Sequence, residues 1–286
     1  MVVATQKTDG DYVIMGKNPL IGICGLCKQK KELENSHLLP NAIYKLLCKP
    51  FQNERPDQIG CLNNRDNKFQ MLGHQITKYY LCDECEAILD QNGENKVIKE
   101  LYSSDGNIGK FILRDKLDSI RGRFSKDHEI EYFLQDNLGC IDFSAYIHLI
   151  LGIFWKASST EWKNKSYHNE YRNALGSRYE EQIRRYLITL NPMYLNKIII
   201  TVFVDTSKSP IPWATMPRYY RKNGMNLHEL LLPGICVDTT IGDKMLYKKE
   251  CLDAYACQHL IFAKLNLQEG KLFNELLYRF HIAMTS

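Results

Sequence analysis

The sequence predicts an α+β protein in which a zinc-stabilised module, residues 21–105, is followed by a mixed helical and β domain over residues 106–286, with residues 1–20 as a leading segment. Three observations carry this expectation. Two Cys-x-x-Cys pairs, Cys24/Cys27 and Cys82/Cys85, stand inside the first module. Apolar residues recur at helical spacing over 143–156 and 179–190. Runs of β-branched and aromatic residues, such as 197–205, read as strands.

Composition narrows the function classes. A chain of 286 residues with 44% apolar and 24% charged residues can bury one large core or two modest ones. The formal charge of +4 and a pI near 8.4 permit a nucleic-acid partner without demanding one. Ten cysteines would suit a secreted disulfide protein, but no signal-peptide pattern is present and four cysteines form Cys-x-x-Cys pairs. Metal binding in a reducing cytoplasm is therefore expected. The longest apolar stretch, residues 146–155, contains His148 and falls short of the ~20 residues of a membrane span, so no membrane association is expected. P-loop, dinucleotide and serine-elbow patterns are lacking.

Along the chain, residues 13–15 suggest a short strand after a polar start. Residues 21–33 read as a hairpin with a metal knuckle. Asn35-Ser36-His37 leads to Pro40, and Ile43, Leu46 and Leu47 then predict a short helix over 41–47. Residues 49–68, with Pro50, Pro56 and Gly60, read as a long loop or insertion. Residues 76–81 predict a strand. A helix begins at 85–89, is expected to break near Asn92-Gly93, and resumes over 94–101. Ser103-Ser104-Asp105-Gly106 marks a plausible boundary. Further strands or short elements are expected at 230–237, 244–247 and 260–267.

The paired cysteines are the strongest chemical signal. Each Cys-x-x-Cys knuckle turns two thiolates toward one ion, and four thiolates suit tetrahedral Zn²⁺ at ~2.3 Å. The long separation of the pairs requires the intervening segment to fold as a structured excursion.

Within that excursion lies Ser36-His37-Leu38-Leu39-Pro40, and after it Leu81-Cys82-Asp83-Glu84-Cys85-Glu86. This pattern, with Cys24, Cys27 and Leu33, resembles the HNH-like ββα-metal endonucleases, and among them a bacterial group whose motif runs Cys-x-x-Cys, Leu, Ser-His-Ile-Ile-Pro, Leu-Cys-x-x-Cys-Glu. The likeness continues to Ile153-Phe154-Trp155-Lys156-Ala157-Ser158, which looks like that group's hydrophobic helix and following basic turn. The resemblance implies a hairpin and a helix around a divalent cation, with His37 as general base toward water; a neutral imidazole suits that task. It implies Mg²⁺ or Mn²⁺ as catalytic cation beside the structural Zn²⁺, the metal stabilising charge on the phosphate. Two positions depart from the family. Ser36 stands where an acidic or histidine ligand is usual, and Glu86 stands where a histidine follows the second knuckle. Glu86 is an acceptable hard ligand. His74 is the first candidate to complete the set, with Asp83, Asp90 and Glu94 behind it. Structural roles are open for the same residues: His37 shaping the turn before Pro40, Glu86 favouring the start of its helix, and His74 as a loop residue.

Lys28, Lys30 and Lys31 stand at the first knuckle. Residues 162–172 interleave Trp162, Tyr167 and Tyr171 with Lys163, Lys165, His168 and Arg172. Such mixtures serve phosphate contact and base stacking, and serve equally as solvated faces over packing aromatics. Pro217-Arg218-Tyr219-Tyr220-Arg221-Lys222 is a second such patch. Cys251, Cys257 and His259 do not form a persuasive zinc pattern.

The expected function is a metal-dependent HNH-like endonuclease acting on nucleic acid, DNA more than RNA. Resemblance adds a setting in defence against phage, with a regulatory partner protein or a homodimer as open options. The competing expectation is a non-catalytic zinc-binding module that uses a retired HNH scaffold for nucleic-acid or protein recognition. Ser36 favours the latter.

Overall fold

A computed structural model describes residues 20–48, 59–62, 69–72, 75–102, 111–124, 131–162, 171–207, 214–222, 224–242 and 259–266. The expected strand at 13–15, the boundary at 103–106 and the element at 244–247 lie outside these residues.

The chain enters as an antiparallel hairpin of β1 (Ile21–Ile23) and β2 (Lys30–Glu32), with the first knuckle between the strands. That turn is tight. Lys28 adopts φ 64°, and a Cβ on Gly25 would lie 2.2 Å from the Tyr80 ring, so only glycine fits there. β3 (Glu34–His37) follows and runs to Pro40, whose carbonyl accepts the amides of Ile43 and Tyr44 to open α1 (Asn41–Cys48). The stretch expected as a loop holds regular structure at its end: β4 (Ile59–Leu62) pairs antiparallel with β5 (Phe69–Leu72). A short pair in a polar stretch leaves little periodicity to read.

β6 (Thr77–Leu81) then returns to pair antiparallel with β3, bringing His37 opposite Thr77. One residue later α2 (Asp83–Leu89) begins, with three acidic residues in its first turn, where the helix dipole favours negative charge. The helical path does not break at Asn92-Gly93. It widens into a π-helical turn, Asp90–Glu94, and continues as α3 (Asn95–Leu101).

The remainder supplies α4 (Ile112–Asp118), β7 (Arg123–Phe124), β8 (Glu131–Phe133), α5 (Phe143–Ser159) and α6 (Gly176–Thr189). α5 is buried along nearly its whole length, and the Asp142 carboxylate caps its start by accepting the Ala145 amide at 3.1 Å. α6 stops at Leu190, whose left-handed φ of 55° precedes Asn191-Pro192. Five strands complete the main sheet: β9 (Ile198–Asp205), β10 (Arg218–Lys222), β11 (Met225–Leu232), β12 (Ile235–Ile241) and β13 (Leu260–Leu265). The single element expected at 230–237 is instead a hairpin corner, with Pro233-Gly234 turning β11 into β12 and Gly234 at φ +78°.

The sheet has seven strands in the order β10-β11-β12-β9-β13-β8-β7, antiparallel except for the central parallel pair β13/β9. Ile198, Ile200, Val202 and Val204 of β9 are buried in strict alternation. One buried cluster runs from Cys24 through α5 and α6 to Phe262. The fold is thus mixed α+β. Among the described residues, no helix is long and apolar enough to cross a membrane.

Candidate metal centre and histidine site

The β1–β2 turn presents Cys24 and Cys27, and the β6–α2 junction presents Cys82 and Cys85, so the two knuckles meet although the pairs are far apart in sequence. The four sulfurs all lie within 4.8 Å of one another. Cys27 Sγ and Cys82 Sγ are 4.0 Å apart, close to the ~3.8 Å that tetrahedral Zn–S bonds of ~2.3 Å impose. Cys24, Cys82 and Cys85 are buried and Cys27 is half-buried. The Cys82 amide donates to Cys24 Sγ at 3.4 Å, which favours a thiolate there. The Cys24 thiol is pulled down to about 4, first by a hydrogen bond from Cys85 and against burial; the same bond pushes Cys85 upward. Four crowded thiols sharing protons in this way are a ready donor set for a soft or borderline divalent ion. The residues fit Zn²⁺, and none of the described cysteines is in a disulfide.

The centre is braced from outside. Lys31 pairs with Glu84, tying one knuckle to the other. Arg184 of α6, held by Glu181, donates to the Leu26 carbonyl at 2.5 Å. Tyr80 stacks on Trp155 at 5.7 Å and meets Trp162 edge-on at 5.9 Å, so α5 and the segment after it press against the β6 end of the module.

Next to the centre lies a polar group that draws on four segments. Ser36 and His37 end β3, Glu86 is in the first turn of α2, Glu94 closes the π turn, and Lys156 projects from α5. Ser36 is buried, and its hydroxyl accepts the Leu81 amide at 3.0 Å while bonding the Glu86 carboxyl. Ser36 is therefore a staple between the two strands. Glu86 Oε1 is buried and, among the described residues, has no hydrogen-bond partner. Burial raises the Glu86 pKa, and the Lys156 charge opposes that rise. His37 is half-buried, and its pKa is lowered first by burial and then by Lys156, with Glu94 and a hydrogen bond to the Gln75 side chain acting the other way. His37 is thus favoured as the neutral imidazole a general base requires. Lys156 is 2% exposed, and its Nζ lies 3.2 Å from Glu94 Oε1.

A second cation-binding group was expected here, with His74 as a ligand. His74 lies outside the described residues. Among those residues, the four cysteines are the one set of three or more His, Cys, Asp or Glu ligand atoms close enough to hold a metal. His37, Glu86 and Glu94 do not make such a set, and Asp83 and Asp90 are exposed on the helix surface. The described residues thus offer no support for a catalytic Mg²⁺ or Mn²⁺ site.

Of the residues expected to meet nucleic acid, Lys28 and Lys30 are exposed, and Lys31 is engaged by Glu84. Arg172 turns back to donate to the Ser158 carbonyl. Lys163 and Lys165 lie outside the described residues. Trp162 and Tyr171 are buried packing aromatics: Trp162 Nε1 donates to the Lys156 carbonyl at 2.7 Å, and the Tyr171 hydroxyl bonds His228 Nδ1. Tyr219, Tyr220 and Arg221 are exposed on the edge strand β10, while Arg218 pairs with Glu229.

The sequence pattern puts Lys156 at the end of the helix expected over 143–156 and gives it no role at the site; the signal is a lone ammonium in an otherwise apolar helical run, which is rare unless the charge is paired. No family model, curated protein or solved structure matches this chain.

Proposed function

We propose that the chain is a zinc-scaffolded endonuclease of the HNH-like ββα type, cleaving nucleic-acid phosphodiester bonds with His37 as general base. One observation carries the reading: β3 ends in His37, pairs antiparallel with β6, and β6 passes through Cys82 directly into the helix that bears Glu86. This two-strand-and-helix unit carries both an imidazole favoured as neutral and a carboxylate with one buried oxygen that has no hydrogen-bond partner among the described residues. When bound, Zn²⁺ in the four-cysteine set supplies folding energy rather than chemistry, because all four of its positions are taken by protein sulfur. His37 would accept a proton from the attacking water, and Gln75 would orient the ring. Exposed Lys28 and Lys30, at the first cysteine knuckle, would contact backbone phosphates.

The decisive experiment compares zinc-replete native protein with zinc-replete, folded His37→Ala on plasmid DNA, single-stranded DNA and RNA. The expected result is cleavage, DNA preferred, that falls by ~10²-fold or more in the variant. Equal cleavage by both proteins overturns the role of His37. Cleavage by neither favours the second reading, a non-catalytic recognition module, for which the Ser36 staple speaks: a buried hydroxyl spent on holding two strands together is not available to a metal.

A further inference from the structure

Where the edge of the main sheet meets the first turn of α6, side chains from three elements form a second polar group. Tyr219 and Arg221 share one face of the edge strand β10, and Asn226 of β11 is the cross-strand partner of Arg221. Asn226 Oδ1 accepts the Tyr219 hydroxyl at 3.1 Å and Arg221 Nε at 3.1 Å, and Arg221 Nε also donates to the Tyr219 oxygen at 3.2 Å. The three side chains hold one another in place without a carboxylate. The Tyr219 ring is backed by His228, centroids 5.2 Å apart, and is still 39% exposed. α6 reaches the same corner, since the point a Cβ on Gly242 would take lies 3.3 Å from Asn226 Nδ2 and 3.9 Å from the Tyr179 hydroxyl. Next to Tyr179, Arg178 is exposed, with its guanidinium 5.4 Å over the Tyr179 ring. Among the described residues neither Arg178 nor Arg221 pairs with a carboxylate. Their neighbours do: Arg184 and Arg185 on the same helix share Glu181, and Arg218 on the same strand takes Glu229.

We propose that Tyr219, Arg221 and Arg178 form a binding surface for single-stranded nucleic acid, with a base stacked on the exposed side of Tyr219 and phosphates paired to the two guanidinium groups. Charge complementarity selects this occupant. Guanidinium forks match phosphate oxygens, and an aromatic ring at the same corner suits a ligand in which flat rings alternate with phosphates. The platform is set before binding: its hydroxyl is bonded to Asn226 and its ring rests on His228, so little side-chain freedom is lost when a base stacks on it. A duplex keeps its base faces inside its own stack, so a single strand is the form that can use Tyr219. About 9 Å of helical rise separates Arg178 from Arg184, which donates to the Leu26 carbonyl of the first knuckle. A strand held here therefore lies on the helix that braces the zinc centre. The surface is inferred from its own side chains. Its use in delivering a strand for cleavage rests on the function proposed above, and the two can fail separately.

The test is fluorescence anisotropy of a labelled oligo-dT strand titrated with full-length, zinc-replete protein over a range of salt concentrations, with the strand checked for integrity on a gel afterwards. Native protein is expected to bind it, with affinity falling as salt rises. The double variant Arg178→Ala/Arg221→Ala should bind at least ~10-fold more weakly and reduce the slope of log K against log salt by about 1.4, since each phosphate contact to a single strand contributes about 0.7. Tyr219→Ala should weaken binding by ~5-fold or more and leave the slope unchanged, while Tyr219→Phe, which keeps the ring, should retain most of the affinity. If Tyr219→Ala lowers the thermal midpoint, Tyr219→Leu takes its place, covering His228 without offering a π face. Native protein that binds no strand overturns the proposal, as do variants that bind like native. Tighter binding to the annealed oligo-dA/oligo-dT duplex than to the single strand overturns it too. So does loss of affinity in the arginine variant alone, because a patch that ignores Tyr219 is a site for any polyanion. Binding with the expected variant pattern and an intact strand supports the surface and counts against the nuclease reading alone. Cleavage that depends on His37, with affinity unmoved by the variants, overturns the surface alone.

Discussion

Replacing Gly93 with alanine sets two physical effects against each other, and the structure decides which wins. In an ordinary helical position the change stabilises by about 0.5–1 kcal/mol, through reduced backbone entropy of the unfolded chain. Here the new methyl would sit 2.8 Å from Leu149 N and 3.1 Å from both Leu149 Cα and His148 Nδ1, and two of those atoms are backbone. α5 cannot yield locally because it is buried along its length, so the π turn must move outward, at roughly 1–3 kcal/mol for overpacking. The net expectation is a loss of about 1–2 kcal/mol, or a thermal midpoint lower by about 2–3 °C for a chain of this size. Gly152 provides the internal control. Its added Cβ would meet only Leu89 Cδ2 at 3.7 Å and Leu187 Cδ2 at 3.9 Å, which is ordinary contact. Gly152→Ala should therefore be neutral or stabilise by up to about 1 kcal/mol. Differential scanning calorimetry on zinc-replete native protein and both variants measures the contrast. A Gly93→Ala protein at least as stable as native would refute the close approach of the π turn to α5, and with it the reason Glu94 reaches Lys156.

The remaining predictions are briefer. Cys85→Ser should lose zinc and unfold the module, since a structural zinc site supplies much of a small module's folding energy; a variant that kept both its zinc and its thermal midpoint would contradict the assignment. Asp142→Ala removes the carboxylate that caps α5 and also pairs with Lys96 at 3.0 Å, and should cost about 1 kcal/mol in urea denaturation, with Asp142→Asn recovering most of it. Stability should also fall with acidification. His228 is buried, accepts the Tyr171 hydroxyl, and burial lowers its pKa from 6.5 to about 3. The unfolded chain thus protonates first, so the contribution is intact above 6.5, declines as pH falls below that value and is lost through about 3. At pH 5 the loss from this residue is about 2 kcal/mol. Comparing urea midpoints of native and His228→Gln at pH 7 and pH 5 isolates it from any release of zinc, and equal pH sensitivity in the two proteins would refute it.

What could be read from the sequence follows from how burial writes itself into residue order. α5, α6 and β9 were legible because each buries a face, or all faces, in a regular repeat. The zinc set was legible because thiolate chemistry demands a fixed local spacing at each knuckle, whatever the distance between knuckles. The β11–β12 corner was merged into one element because both strands are buried on both faces around it, leaving an unbroken apolar run. Pro233-Gly234 was the readable signal, and hydrophobicity masked it. The π turn reads as a break because Asn92-Gly93 is a turn pair in isolation; only the helix packed against it explains why a glycine sits inside a continuing helical path. Trp162 and Tyr171 read equally as stacking platforms and as packing aromatics, because sequence order cannot say which residues of an alternating aromatic and basic stretch face inward; both are buried.

Lys156 raises a question that fold stability does not answer. A buried lysine carries a desolvation cost of several kcal/mol, and a single carboxylate at 3.2 Å offsets it only partly. Exchanging a buried ion pair for well-packed apolar residues is often neutral or stabilising, and every neighbour of Lys156 on α5, from Ile153 to Ala157, shows what the packing alone would select. The helix would hold the module with a leucine or methionine in its place, and Glu94 would then have no need of a π turn to reach it. Both features are explained together if the charge is wanted where it is, within electrostatic reach of His37 and Glu86. The α5 helix then completes the site that the zinc knuckles frame, and the catalytic reading of the β3–β6–α2 unit depends on a residue outside it. Lys156→Met separates the two demands: packing predicts unchanged or raised stability, while a working site predicts loss of cleavage in a protein that is at least as stable. If stability collapses instead, with or without cleavage, Lys156 is there for the fold.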